Sequence, residues 1–178
     1  MVNREVLSSP ILTARKALIR QMINCGDQID LGFDSNLFPP EKTIYLSLLK
    51  QTGIHIEHDG FASYSAPSDQ SFKSLWFKCE EILQISTEGK MSIEHFYCQL
   101  KTGSFKLKQG LLDFWIPIFL IIKKEDYSLY SDSGEYIPML TTDVMDLIYK
   151  HPGKFFIKAL GSKGVNNQYL SFYKELVG

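Results

Sequence analysis

The sequence lacks any apolar stretch able to span a bilayer. Its longest run, Phe114–Ile122, is nine residues, about half of the ~20 that a transmembrane helix needs. Residues Met1–Pro10 hold no apolar h-region, so no secretory signal is expected. Cysteine is scarce: Cys25, Cys79 and Cys98 are widely spaced and odd in number, which argues against a disulfide framework. Free thiols suit a reducing compartment, and a cytoplasmic location without membrane association is expected. An excess of one charge sign is also missing. Nineteen basic residues face 20 acidic ones, for a net charge of −1, so no global field draws the chain to nucleic acid or to an anionic surface. Internal repeats and low-complexity tracts are absent as well.

The usual signatures of catalysis are missing too. Gly161-Ser162-Lys163-Gly164 lacks the glycine that opens a phosphate-binding loop four residues ahead of its Gly-Lys-Ser/Thr. Ser63, Ser65 and Ser68 have no glycine pattern of a nucleophile elbow. Glu80 and Glu81 are neighbours on an expected helix, where adjacent side chains diverge. His55 and His58, with Glu57 and Asp59 beside them, are spaced i, i+3. On an extended segment they point to opposite faces, and a metal would need further ligands such as Cys79 or Cys98. Pairing Cys98 with His95, or Cys79 with His55, has no local support, so buried thiols acting as small hydrophobes are expected. A non-enzyme without a cofactor or metal is the expectation.

The residues that are present argue for a folded core. Hydrophobic residues make up 44% and aromatics 13% of the chain, a composition unlike that of a disordered segment. Ser9-Pro10 predicts a helix start, with Ile11, Ala14, Leu18, Met22 and Cys25 near one face, Arg15, Lys16 and Arg20 on others, and Gly26 ending it. Pro40 opens a second helix that Thr52-Gly53 stops. Ile54–Phe61 reads as a short strand or an extended link. Helices follow over about Gln70–Leu83, capped by Ser68, and after Ser92. Leu111–Lys124 predicts a buried helix, kinked by Pro117 or starting near Ile116. Tyr127–Tyr130 and Tyr136–Met139 flank a Gly-containing turn and predict a hairpin. Thr141 or Thr142 caps a helix to Lys150, Phe155–Leu160 reads as a strand, and a last helix is expected over about Asn167–Leu176. The fold class is α+β, predominantly helical, with a small winged-helix-like hairpin unit in the C-terminal half. The predicted division is a helical subdomain over 1–98 and a winged-helix-like α+β subdomain over 99–178, or one continuous domain.

Two surfaces are candidates for binding. Residues 99–178 carry ten Lys/Arg against eight Asp/Glu, whereas residues 1–98 carry nine against twelve. Lys101, Lys106, Lys108, Lys154 and Lys158 are therefore candidate DNA contacts. Against that, the turn Ser131–Glu135 carries Asp132 and Glu135, and a wing that tracks phosphate should be positive. Trp115, Phe119 and Tyr127, or alternatively the N-terminal helix, are candidates for an exposed apolar patch that contacts a protein partner.

Several stretches resemble a known family. They are Phe38–His55 (FPPEKTIYLSLLKQTGIH), Ser74–Trp76, Gly110–Leu120 (GLLDFWIPIFL) with Gly103 before it, Leu129–Pro138 (LYSDSGEYIP), His151-Pro152 and Phe155-Phe156. Together they resemble the region downstream of the nucleotide-binding domain in large bacterial P-loop ATPases, some linked to phage defence. The resemblance implies an accessory helical, winged-helix-like module that relays nucleotide state or contacts partner domains, and it brings no catalytic residues. The expected function is a non-catalytic interaction or regulatory module, with a winged-helix-like DNA-binding protein as the alternative.

Overall fold

A computed structural model describes residues 6–161. The expected helix over about Asn167–Leu176 and most of the Gly161–Gly164 loop lie outside the described residues. The first helix, α1 (Ser9–Asn24), starts one residue earlier than predicted, with extended Ser8 as N-cap and Pro10 in the first turn, where its missing N–H costs nothing. Its buried residues are Ala14, Arg15, Leu18, Ile19 and Met22. Arg15 is the correction here. It is 1% exposed, because α1 is covered on two sides, by α5 (Gln109–Ile122) and α6 (Thr142–Lys150). Its Nε donates to the Asp113 carbonyl at 2.7 Å, and its guanidinium lies 4.2 Å from the centre of the Tyr149 ring.

After α2 (Pro40–Tyr45) comes one π-helical turn, Leu46–Lys50. The segment Ile54–Phe61, read as a short strand or an extended link, holds a strand and the turn of a hairpin, with β1 (His55–His58) antiparallel to β2 (Phe61–Tyr64). Its turn residues Asp59 and Gly60 have φ of 47° and 86°, the positive values that a tight two-residue hairpin turn requires. The α3 helix (Gln70–Ile85) is capped by Asp69, whose carboxylate accepts from Ser71 N–H, and not by Ser68. A two-residue strand, β3 (Met91–Ser92), leads into α4 (Ile93–Thr102). There the predicted Ser92 cap forms, its hydroxyl accepting from His95 N–H at 3.1 Å. Residue 98 lies inside α4, so a boundary at 98/99 would cut a helix. A single apolar core runs from Leu18 to Ala159 across that position.

The α5 helix carries Pro117 within it. The hairpin β4 (Tyr127–Ser131)–β5 (Tyr136–Ile137) forms where predicted. It closes through Ser131 N–H to Glu135 O at 2.9 Å, with Gly134 at φ 85°. Thr141 caps α6, accepting from Val144 N–H at 3.2 Å. The final strand, β6 (Phe155–Ala159), does not extend the hairpin at its free edge. It enters between β3 and β4, giving a four-stranded antiparallel sheet in the order β3-β6-β4-β5. The fold is thus α+β and predominantly helical. No helix of the described residues is long and apolar enough to cross a membrane.

Candidate docking groove

The aromatic residues proposed as a docking patch are core residues. Trp115 and Phe119 are fully buried, and Tyr127 is 6% exposed. Trp115 stacks on Phe72 at 5.2 Å and meets Trp76 edge-on at 6.1 Å. Phe119 packs edge-on to Trp76 at 5.0 Å and tilted to Phe96 at 5.7 Å. Such pairs add about 0.5–1.5 kcal/mol beyond area burial. The Trp115 indole N–H points at Cys79 Sγ, 3.4 Å away, and the Tyr127 hydroxyl donates to the Leu120 carbonyl at 2.7 Å. Burial pushes the Cys79 thiol up to about 12, so it is an inert apolar filler rather than a nucleophile. The physical reason is position: α5 packs against α1, α3 and α4 with no outward face for Trp115 and Phe119, and Tyr127 on β4 turns its hydroxyl inward to the end of α5.

The five candidate lysines come from the end of α4, the α4–α5 loop, the turn before β6 and β6 itself. Lys154 lies in the short 3-10 turn before β6, beside the start of α4, where Gly153 faces Glu94. Lys101 sits at the other end of α4, seven residues on, or about 10 Å along the axis at 1.5 Å per residue. Lys106 and Lys108 continue from that far end into the α4–α5 loop, and Lys158 projects from the outward-facing side of β6.

The two histidines separate as extended geometry requires: His55 is 3% exposed, and His58 lies on the surface. His55 is the hub of a polar cluster that the sequence reading did not assemble. Its Nε2 donates to the Gly26 carbonyl at 2.9 Å, and its Nδ1 meets the Tyr45 hydroxyl at 2.8 Å. That hydroxyl also lies 3.4 Å from Asp30 Oδ1. Lys50 Nζ donates to Asp30 Oδ1 and to Glu57 Oε1. The hydrogen bond from Lys50 holds the Asp30 carboxyl below its usual range, and the same bond raises Lys50. Burial first, then the negative charges of Asp30 and Glu57, raise the Tyr45 hydroxyl.

The cluster pins a strained turn. Asp30 and Leu31 both hold positive φ, 50° and 53°, a conformation that costs a non-glycine residue roughly 1–2 kcal/mol. Full burial of Leu31 and the bond from Gln21 Nε2 to its carbonyl keep it there. The charges are paired with one another, and among the described residues no group of three His, Cys, Asp or Glu is placed to hold a metal ion. The cluster ties the π-helical turn and β1 to the loop after α1.

The concave surface lies elsewhere. Two open clefts of about 550 and 520 Å³ share Ile23, Asn24, Lys124, Glu125 and Leu140 as walls, so they form one continuous groove. It runs between the C-terminal ends of α1 and α5, with β2 at one end and the β4–β5 hairpin at the other. Three large apolar side chains rim the hairpin end with most of their surface in water: Tyr136 at 55%, Met139 at 70% and Leu160 at 56%. β5 is the edge of its sheet and lasts two residues before Pro138, so among the described residues no strand pairs with its outer side. The sequence did contain a signal. Tyr136-Ile137-Pro138-Met139-Leu140 is a run of five apolar residues in a segment whose strand pairs on one side only, an arrangement that costs solubility unless something binds there. Comparison with protein families, curated proteins and solved structures finds no match to this chain.

Proposed function

We propose that this chain is a non-catalytic interaction module whose groove docks an apolar segment of a protein partner. The observation that carries the reading is the rim: Tyr136, Met139 and Leu160, each more than half exposed on one concave surface. Scattered apolar residues are normal on protein surfaces, but a contiguous set on one groove marks an interaction site. Aromatic and methionine side chains are also the types enriched in interface cores. The polar residues Asn24, Lys124 and Glu125 in its wall give it a polar side. The resemblance to the accessory regions of bacterial P-loop ATPases nominates a nucleotide-binding ATPase domain as the partner.

Site-directed photo-crosslinking in the native cells tests this. A benzoylphenylalanine at Met139 is expected to give one discrete adduct that is lost in a Leu160→Asp background and absent from a probe at exposed Glu88. The purified partner should then bind with a Kd that Leu160→Asp weakens at least about tenfold, some 1.4 kcal/mol. Identical adducts from Met139 and Glu88 would overturn the reading. So would duplex DNA binding that falls steeply between about 50 and 200 mM salt, the range over which phosphate contacts are lost.

A further inference from the structure

We infer that the outer face of the four-stranded sheet is a platform for single-stranded nucleic acid, on which bases stack against Phe156, Tyr130 and Tyr136 while Lys90 and Lys158 meet the phosphates. The inference does not rest on the docking reading. It begins with strand register. Pleating sends alternate residues of a strand to opposite faces, and cross-strand partners share a face. Met91, Ile157, Leu129 and Tyr127 point into the core, so their neighbours along each strand point outward. Ser92, Phe156, Tyr130 and Tyr136 are paired in one row across all four strands, and Lys158 is paired with Ser128 in the next row.

The three rings of that row stand outside the hydrophobic core. Phe156 and Tyr130 are partly exposed, and Tyr136 is 55% exposed. The Tyr130 and Tyr136 rings are 5.8 Å apart. At about 4.8 Å per strand, the row from Phe156 to Tyr136 is about 10 Å wide. Lys90 Nζ lies 3.8 Å from the centre of the Tyr130 ring, and Lys158 is exposed. Among the described residues no carboxylate pairs with either ammonium.

This combination selects the ligand. Aromatic faces accept any base, and cations beside them take the backbone phosphates. An apolar protein segment would cover the rings but leave both ammoniums without a counter-charge. A duplex would keep its bases stacked on one another, with no free base face to offer the rings. A base that stacks on Tyr130 takes the place of the Lys90 ammonium, which can then meet the adjoining phosphate. Asp132 and Glu135 stand in the β4–β5 turn, beyond the ring row on the side away from Lys158. They repel phosphate at that end, so the strand is directed along Lys158, the rings and Lys90. Competing surfaces are less well matched. The exposed Phe38 ring is covered by the Lys42 ammonium at 4.1 Å, itself held by the Asp34 and Leu37 carbonyls. Phe61 and Phe77 stand singly on separate elements.

The test is fluorescence anisotropy with the full chain and labelled oligouridine or oligothymidine of about eight nucleotides, a length within the site sizes of such platforms, with a duplex as control. Tyr136 is shared with the groove rim and stays unchanged in every variant. Binding of either oligomer is expected at about 50 mM salt, and the tighter of the two shows whether the strand is RNA or DNA. Tyr130→Ala and Phe156→Ala should each weaken it by roughly 5- to 150-fold, the range expected for one lost base–aromatic stack. Phe156 is partly buried, so urea midpoints check that its variant folds. Lys158→Gln changes an exposed side chain and should reduce the slope of log affinity against log salt by about 0.7, one phosphate contact on a single strand. Ultraviolet crosslinking to oligouridine, read by mass spectrometry, should mark Phe156, Tyr130 or Tyr136. The inference is overturned by the absence of binding at about 50 mM salt, by an affinity that Tyr130→Ala leaves unmoved, by equal affinity for duplex and single strand, or by crosslinks confined to other surfaces.

Discussion

Trp115→Ala separates a core role from a docking role most sharply. Trp115 has no solvent-exposed surface, stacks on Phe72, meets Trp76 edge-on and donates to Cys79 Sγ. Truncation removes the transfer free energy of the indole and leaves a void whose walls, Phe72, Trp76 and Cys79, belong to helix α3 and cannot collapse freely. Buried Trp→Ala changes of this kind cost about 3–5 kcal/mol, a large part of the ~5–15 kcal/mol that holds a domain folded. Urea unfolding followed by far-UV circular dichroism is the assay. The midpoint should fall while the slope stays unchanged, which reports lost stability rather than an altered denatured state. Trp115→Phe keeps most of the ring contact and should cost clearly less. Met139→Ala, on the rim and 70% exposed, should stay within about 0.5 kcal/mol of the parent. A Trp115→Ala loss below about 1 kcal/mol would refute the core assignment, and equal losses at Trp115 and Met139 would refute the distinction between core and groove.

Two glycines with similar backbone angles should respond differently to alanine. Gly60 has φ 86° with nothing near an added Cβ, whereas Gly53 has φ 79° and an added Cβ would run into the Ser68 hydroxyl. Gly60→Ala should therefore cost roughly the 1–2 kcal/mol of a left-handed residue and Gly53→Ala more, read as urea midpoints; the reverse order would contradict the packing at Ser68. Lys50→Met tests the polar cluster through acid. The folded-state pKa of Asp30 lies below its unfolded value of 3.8, so the Lys50 contact contributes stability fully above pH 3.8 and loses it as pH falls through the lower folded value. The gap in unfolding midpoint between parent and Lys50→Met should be open at pH 7 and narrow below pH 3.8; a gap unchanged in acid would show that Lys50 acts by packing instead.

Much of the helical framework was legible because its signals are local. The Ser92 and Thr141 caps, Pro40 at a helix start and the Ser131–Glu135 turn each depend on a few neighbouring residues, and each forms as read. The β1–β2 hairpin was equally legible and was overlooked. Asp59-Gly60 between two extended runs is the strongest short-range hairpin pattern, and it turns a short strand over His55–His58 back onto Phe61–Tyr64. Arg15 was not legible. A helical period shows which residues share a face, but only tertiary packing shows that α1 is covered by both α5 and α6, which buries a residue off the main apolar stripe.

The groove shows a deeper limit of the same kind. Its walls come from residues 23–24, 124–125 and 136–140 and from Leu160, segments that no sequence window contains together. Apolar content alone pointed to the wrong residues, since Trp115 and Phe119 sit in the most apolar helix and are for that reason the best buried. The more informative signal was a mismatch between pattern and position: five consecutive apolar residues, Tyr136–Leu140, on a strand too short to bury them. A buried strand needs neighbours on both sides and a cover on both faces. β5 is a sheet edge that Pro138 cuts off after two residues; Ile137 and Leu140 of that run pack against the core, whereas Tyr136 and Met139 stay exposed. The proposed docking role therefore rests on those two exposed side chains and Leu160, and not on the whole apolar run.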